Sequence, residues 1–183
     1  MNRDLQKIKT LATAMAQPDS GLRREVEQFG SQLGLCLPES YLELVEHYGF
    51  AGYWQEFWYL LDPREDGGWT SPADDHSGRN LLSAQRVIRK GWPDEVPYPI
   101  FPEPGGLLPW AATDNGGRFF WLTEGEPDSW MTVYTPDRSG GFREIEKDVP
   151  NIVWGLISGE FRLFAEEFGD DYEYGEGPIV SYP

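Results

Sequence analysis

The chain has 183 residues, the length of one domain, and needs neither disulfide nor metal staples to bury a core. Lys and Arg total 15 against 31 Asp and Glu, and the formal net charge of -16 repels phosphate backbones and anionic lipid. Nucleic-acid and membrane-surface partners are therefore disfavoured, while basic proteins are attracted and their encounter is accelerated.

Leu5, Ile8, Ala12 and Met15 recur at helical spacing and predict a short amphipathic helix, broken by Gln17-Pro18-Asp19-Ser20-Gly21. A second helix carries Leu22, Val26, Phe29 and Leu33 on one face, with Gly34 as its stop. After the extended link Leu35-Cys36-Leu37, Pro38 opens a third helix with Tyr41, Leu42, Val45 and Tyr48 inward and Gly49 as its C-terminal signal. The aromatic run 57–61 reads as a buried strand. Residues 62–80, rich in Gly, Pro, Asp and Ser, form a long loop of the kind that is functional or mobile. Ser83 is the expected cap of a short helix carrying Val87 and Ile88 and ended by Gly91-Trp92-Pro93.

The strongest β signal follows. Leu107-Leu108-Pro109-Trp110 and Phe119-Phe120-Trp121-Leu122 flank Asp114-Asn115-Gly116-Gly117. Asn-Gly between apolar runs predicts a hairpin, because both residues tolerate positive φ. Residues 131–134 predict a third strand and 142–145 an edge strand. Asp148 caps a helix with Ile152, Val153, Leu156 and Ile157 inward and Gly159 at its end, and 160–168 continues as helix. Beyond Arg162 there is no cation, and Glu166, Glu167, Asp170, Asp171, Glu173 and Glu176 make an acidic stretch. The expected organisation is an N-terminal helical extension (1–18), a single α+β domain (19–168) and an acidic C-terminal tail (169–183). In the domain, a central, mostly antiparallel sheet is flanked by helices.

Constellations that carry chemistry are scarce. His47 and His76 lie far apart, and in Asp74-Asp75-His76 the side chains are adjacent in a loop, where a solvated turn is expected and no metal. Cys36, the single cysteine, sits between two leucines and reads as a small buried hydrophobe. No Gly-x-Ser-x-Gly elbow occurs, nor a Gly-rich loop ending in Lys-Ser or Lys-Thr. Glu124, Glu126 and Asp128 share a loop beside Trp121 and Trp130, the make-up of a sugar site but equally of a solvated or protein-contacting loop. Gly105-Gly106 reads as a turn. Trp58, Trp110 and Trp121 fall inside strands and belong to the core, whereas Trp54 and Trp69 lie in polar, Gly-containing stretches that suit interface anchors.

Leu37-Pro38-Glu39-Ser40-Tyr41, leading into a helix that runs to Tyr48-Gly49, resembles the N-terminal motif of the SUKH superfamily (Smi/Knr-like domains). Leu108-Pro109-Trp110-Ala111-Ala112-Thr113-Asp114-Asn115-Gly116-Gly117 is similar to that family's Pro-Trp/Phe-Gly-x-Thr-x-x-Gly-Asp segment. Phe120-Trp121-Leu122 and Gly125-Glu126-Pro127-Asp128-Ser129-Trp130 continue the likeness, which runs over residues 21–168. Ala111 departs from a common Gly, and Gly117 from a common Asp. The resemblance implies an α+β domain without shared catalytic residues. It further implies a bacterial immunity protein that binds and neutralises a toxin of nuclease or deaminase type. The expected function is then non-catalytic, cofactor-free capture of a basic toxin domain. Its expected contacts are Asp66, Asp74, Asp75, Glu124, Glu126 and Asp128, with Trp54 and Trp69 as anchors. The alternatives are a regulator or scaffold of cell-wall synthesis or signalling, and a carbohydrate-active enzyme using Glu124 or Glu126. Met1-Asn2-Arg3-Asp4-Leu5 lacks the character of a secretory leader and no apolar run is long enough to span a bilayer, so a cytoplasmic location is expected.

Overall fold

In the computed structural model, which describes residues 3–13, 18–65, 69–70, 75, 77, 80–136, 141–164 and 180–182, the fold is α+β: helices pack on one antiparallel sheet. Strands β1 (Tyr53–Trp54), β2 (Trp58–Leu60), β3 (Leu107–Thr113), β4 (Arg118–Leu122), β5 (Thr132–Thr135) and β6 (Arg143–Ile145) form a meander. Strand β7 (Val180–Ser181) adds to β1, giving the order β6-β5-β4-β3-β2-β1-β7. The helices are α1 (Arg3–Leu11), α2 (Ser20–Gln32), α3 (Glu39–Tyr48), α4 (Leu81–Gly91) and α5 (Val149–Ser158). No helix among the described residues is long and apolar enough to cross a membrane.

The helix ends follow their capping chemistry. Asp19 Oδ1 accepts from the N–H groups of Gly21 and Leu22 at the start of α2, and Asp148 accepts from Asn151 N–H at the start of α5. Gly49 and Gly159, with φ of 62° and 75°, close α3 and α5. The cap of α4 is Asn80 rather than Ser83. Asn80 accepts from Ser83 N–H at 2.9 Å while Ser83 Oγ accepts from Asn80 N–H at 3.1 Å. Ser83 is thus the third-residue partner of a capping box, one turn inside the helix it was expected to start.

Side chains alternate across a strand, so β4 sends Phe119 and Trp121 to one face and Arg118 and Phe120 to the other. On the first face Trp121 meets Tyr41 of α3 edge-on at 4.8 Å, and Tyr48 of α3 packs 5.0 Å from Trp54 of β1. Trp54 stacks on Trp58, and Trp110 on Trp121, so the core is largely a layer of rings beneath α3 and α5. Helix α1 packs on α5 with Leu5 and Ile8 fully buried, so residues 3–11 belong to the core and are not an appended extension. Helix α4 lies over β3 on the opposite face.

Two further expectations change. Cys36 is exposed, because extended backbone puts it opposite the buried Leu37. Within the expected acidic tail, residues 180–181 are a sheet strand, with Val180 buried and its Cγ1 close against Gly52. The carboxylates of that stretch lie outside the described residues, as do 165–168 of the expected helical continuation, of which Leu163 and Phe164 are helical.

Candidate functional site

Among the described residues, the two sequence-predicted anchors do not share an exposed surface with the predicted carboxylates. Trp54 and Trp69 are 0% and 1% exposed, so neither can anchor a partner. Trp69 is buried, donates its Nε1–H to Pro109 O at 2.6 Å and packs against Phe29 and Trp121. Local polarity reported where the loop backbone runs, not where its indole points. Asp66 and Asp74 lie outside the described residues, and Asp75 is half-buried, accepting from Ser77 N–H at 2.8 Å. Glu124 and Glu126 are exposed beyond the Leu122 end of β4.

Asp128 has a structural role. Pro38 precedes α3 without a capping side chain, and Asp128 Oδ1, 89 residues along the chain, accepts from Glu39 N–H at 2.8 Å. It is an N-cap supplied from a distant loop. Asp128→Ala is expected to cost about 1 kcal/mol in urea unfolding, with Asp128→Asn much less harmful and Glu126→Ala within about 0.5 kcal/mol of the parent.

At the other end of β4, on the face away from α3, a different arrangement appears. The strand registers align Ser181, Tyr53, Tyr59, Ala112, Arg118 and Thr135 as one cross-sheet row. Tyr53 and Tyr59 stack at 6.0 Å, and Ala112 is the small residue between Tyr59 and Arg118. Helix α4 stands over the far end of this row and leaves a cavity of about 640 Å³, within the range of small-molecule sites. Gln85 and Ile88 of α4 form one wall, and Asp114, Asn115 and Gly116 at the β3–β4 turn form another. Val96 and Glu95 come from the segment after α4, Phe142 from the approach to β6, and Arg118 and Thr135 from the sheet.

The expected hairpin forms, but its turn does not use positive φ at both Asn115 and Gly116. Gly116 has a φ of 97° and Asn115 does not share it. Thr113 N–H donates to Gly117 O at 3.0 Å, and Gly117 N–H donates to Thr113 Oγ1 at 2.9 Å, which makes a longer loop. A Cβ on Gly117 would lie 2.7 Å from Thr113 Oγ1 and 2.8 Å from the Tyr134 hydroxyl, so a side chain here would require those two groups to shift.

Arg118 is the electrostatic oddity of the cavity. Its Nη1 donates to Gly117 O at 2.8 Å, and it has no carboxylate ion pair among the described residues. Burial holds its guanidinium below the usual arginine range. Burial, and after it the neighbouring Asp114 carboxylate, pushes the Tyr53 hydroxyl up to about 12. No group of three or more His, Cys, Asp or Glu among the described residues is placed to hold a metal ion. His47 lies on α3 with Nδ1 2.8 Å from Glu43 O, remote in the fold from the cavity's walls.

Sequence reasoning also passed over Trp92. It caps the C-terminal end of α4 and, at 60%, is the most exposed large hydrophobic among the described residues. A usable signal was present: an indole placed after the helix-stopping Gly91 and before Pro93-Asp94-Glu95 has no apolar run to join. Trp92 lies in the chain between Ile88 and Glu95, which both line the cavity, but does not itself line it. Comparison with known protein families, with curated proteins and with solved structures found no match for this chain.

Proposed function

We propose that this chain is a non-catalytic protein-binding domain that neutralises a basic toxin domain by direct contact. The observation that carries the proposal is the excess of 31 carboxylates over 15 Lys and Arg beside an exposed Trp92, with several of the cations already engaged within the chain. Arg23 is held between Glu39 at 2.7 Å and Glu46 at 3.4 Å, and Arg64 between Asp62 and Glu25. Lys7 pairs with Asp4, and Arg89 with Glu103. Such exposed pairs add little stability. Each pair neutralises a carboxylate as well as a cation, so the outward field is that of the net charge of -16. That field steers a basic partner, while affinity needs a desolvated anchor, a role that Trp92 suits better than the buried Trp54 and Trp69. The toxin part of the reading rests on the resemblance carried by residues 37–41 and 108–117.

The test is capture on the immobilised chain from lysates of the source organism and its competitors, with elution by a salt gradient. The expected catch is one basic toxin domain released only at high salt, whose growth inhibition is relieved when this chain is co-expressed. Trp92→Ala should weaken that complex by about 2 kcal/mol, roughly 30-fold, and leave the unfolding midpoint unchanged. Retention of wall-synthesis or signalling proteins instead, or of nothing basic, would overturn the proposal.

A further inference from the structure

We infer that the cavity between α4 and the β3–β4 turn is a binding site for a small monocarboxylate with an apolar body, its carboxylate paired with Arg118. The inference is independent of the toxin reading, since the cavity needs no second protein to be complete.

The guanidinium carries the argument. An arginine offers five N–H donors in a planar fork that matches a carboxylate, and the hydrogen bond to Gly117 O uses only part of that capacity. Arg118 is half-buried, and partial removal of this charge from water without a counter-ion is unfavourable, which is why burial depresses its basicity. Carboxylates are abundant here, and Arg23, Arg64 and Arg89 each have one. Among the described residues Arg118 has no carboxylate partner while it lines open volume, so the geometry leaves its complement to be supplied from outside.

The lining limits what that complement is. Asp114 and Glu95 stand on the same cavity and the chain carries a net charge of -16, so a second negative charge on the ligand meets repulsion. A monoanion is therefore favoured over a phosphate dianion or a dicarboxylate. Ile88, Val96 and Phe142 present apolar surface, and Phe142 is held edge-on by Tyr98 at 5.3 Å. Gln85 and Thr135 add neutral polar groups to the lining, the Thr135 hydroxyl already donating to Pro136 O. This combination suits an alkyl or aryl carboxylate of drug size or smaller.

Calorimetric titration of the full chain tests it, with hexanoate and benzoate as probes against inorganic phosphate and succinate. Hexanoate or benzoate should bind saturably at one site, with a Kd of about 1 mM or tighter. Phosphate and succinate should bind at least about tenfold more weakly, and Arg118→Gln should weaken the monocarboxylate at least about tenfold. If Arg118→Gln does not fold, Ile88→Glu on the half-buried wall of α4 serves instead, because a carboxylate placed there should abolish binding. Absence of saturable binding by both probes overturns the inference. So does binding that survives Arg118→Gln, or Ile88→Glu in its place, and so does tighter binding of phosphate or succinate.

Discussion

Trp121→Ala is expected to remove about 4 kcal/mol of stability, a large part of the margin of a domain this size. The ring is 1% exposed and touches four other rings: Tyr41 at 4.8 Å, Trp69 at 6.0 Å, Trp110 at 6.0 Å and Trp130 at 5.8 Å. It therefore joins α3, the loop carrying Trp69, β3 and the short 3-10 segment Pro127–Ser129 into one packed unit. The surroundings cannot close over the void, because Trp69 is fixed by its bond to Pro109 O and Tyr41 by its helix. Cavities that cannot collapse give the largest losses in substitutions of this kind. Urea unfolding followed by near-UV circular dichroism measures the change, and a loss below about 1 kcal/mol would mean that the ring cluster is not rigidly packed.

Gly106→Ala carries the second large effect, about 3 kcal/mol, and for a different reason. A Cβ at Gly106 would lie 2.4 Å from Phe101 N, 2.6 Å from Ile100 C and 2.7 Å from Glu103 O. All three are backbone atoms in a segment already tied by Gly106 N–H to Glu103 O and by Thr123 to Gly106 O, so none can rotate away. The neighbouring Gly105 is a sharp control. Its φ is +70° and the nearest atom to an added Cβ is 3.8 Å away, so Gly105→Ala costs only the left-handed backbone, about 1 kcal/mol. Thermal unfolding of the pair separates steric exclusion from conformational preference, and equal midpoints would refute the close approach at Gly106.

That pair also shows what a sequence conveys. Gly105-Gly106 announced a turn, but which glycine was irreplaceable depended on how the backbone of residues 100–103 folds back against it. Helices α2 and α5 were legible because cap, apolar spacing and glycine stop are all local, and α3 was legible from its spacing and glycine stop although its cap, Asp128, is distant. The β3–β4 hairpin was legible for the same reason, although its loop geometry was not. Strand β1 was invisible. Its turn into β2 sets Gln55 and Glu56 at φ of 51° and 55°, a conformation normally announced by Asn-Gly. What holds it is tertiary: buried Gln55 accepts from Trp58 Nε1–H and donates to Leu156 O on α5. The cavity was illegible on similar grounds, since Arg118 meets α4 only through a register that runs across several strands.

The pairing of β7 with β1 has a consequence for how the chain is made. Strands β1 to β6 each find a partner next in sequence, whereas Ser181 pairs with Tyr53 across 128 residues. A ribosome therefore releases the whole meander before the outer edge of Tyr53–Trp54 acquires its neighbour. Through that interval the growing chain presents open amide and carbonyl groups beside its most aromatic layer, the arrangement that invites strand exchange between nascent copies. Closing so distant a contact is slow relative to forming hairpins, so β7 acts as a late seal on the sheet. The brevity of β1, at two residues, keeps the unsealed edge too short to template a stranger.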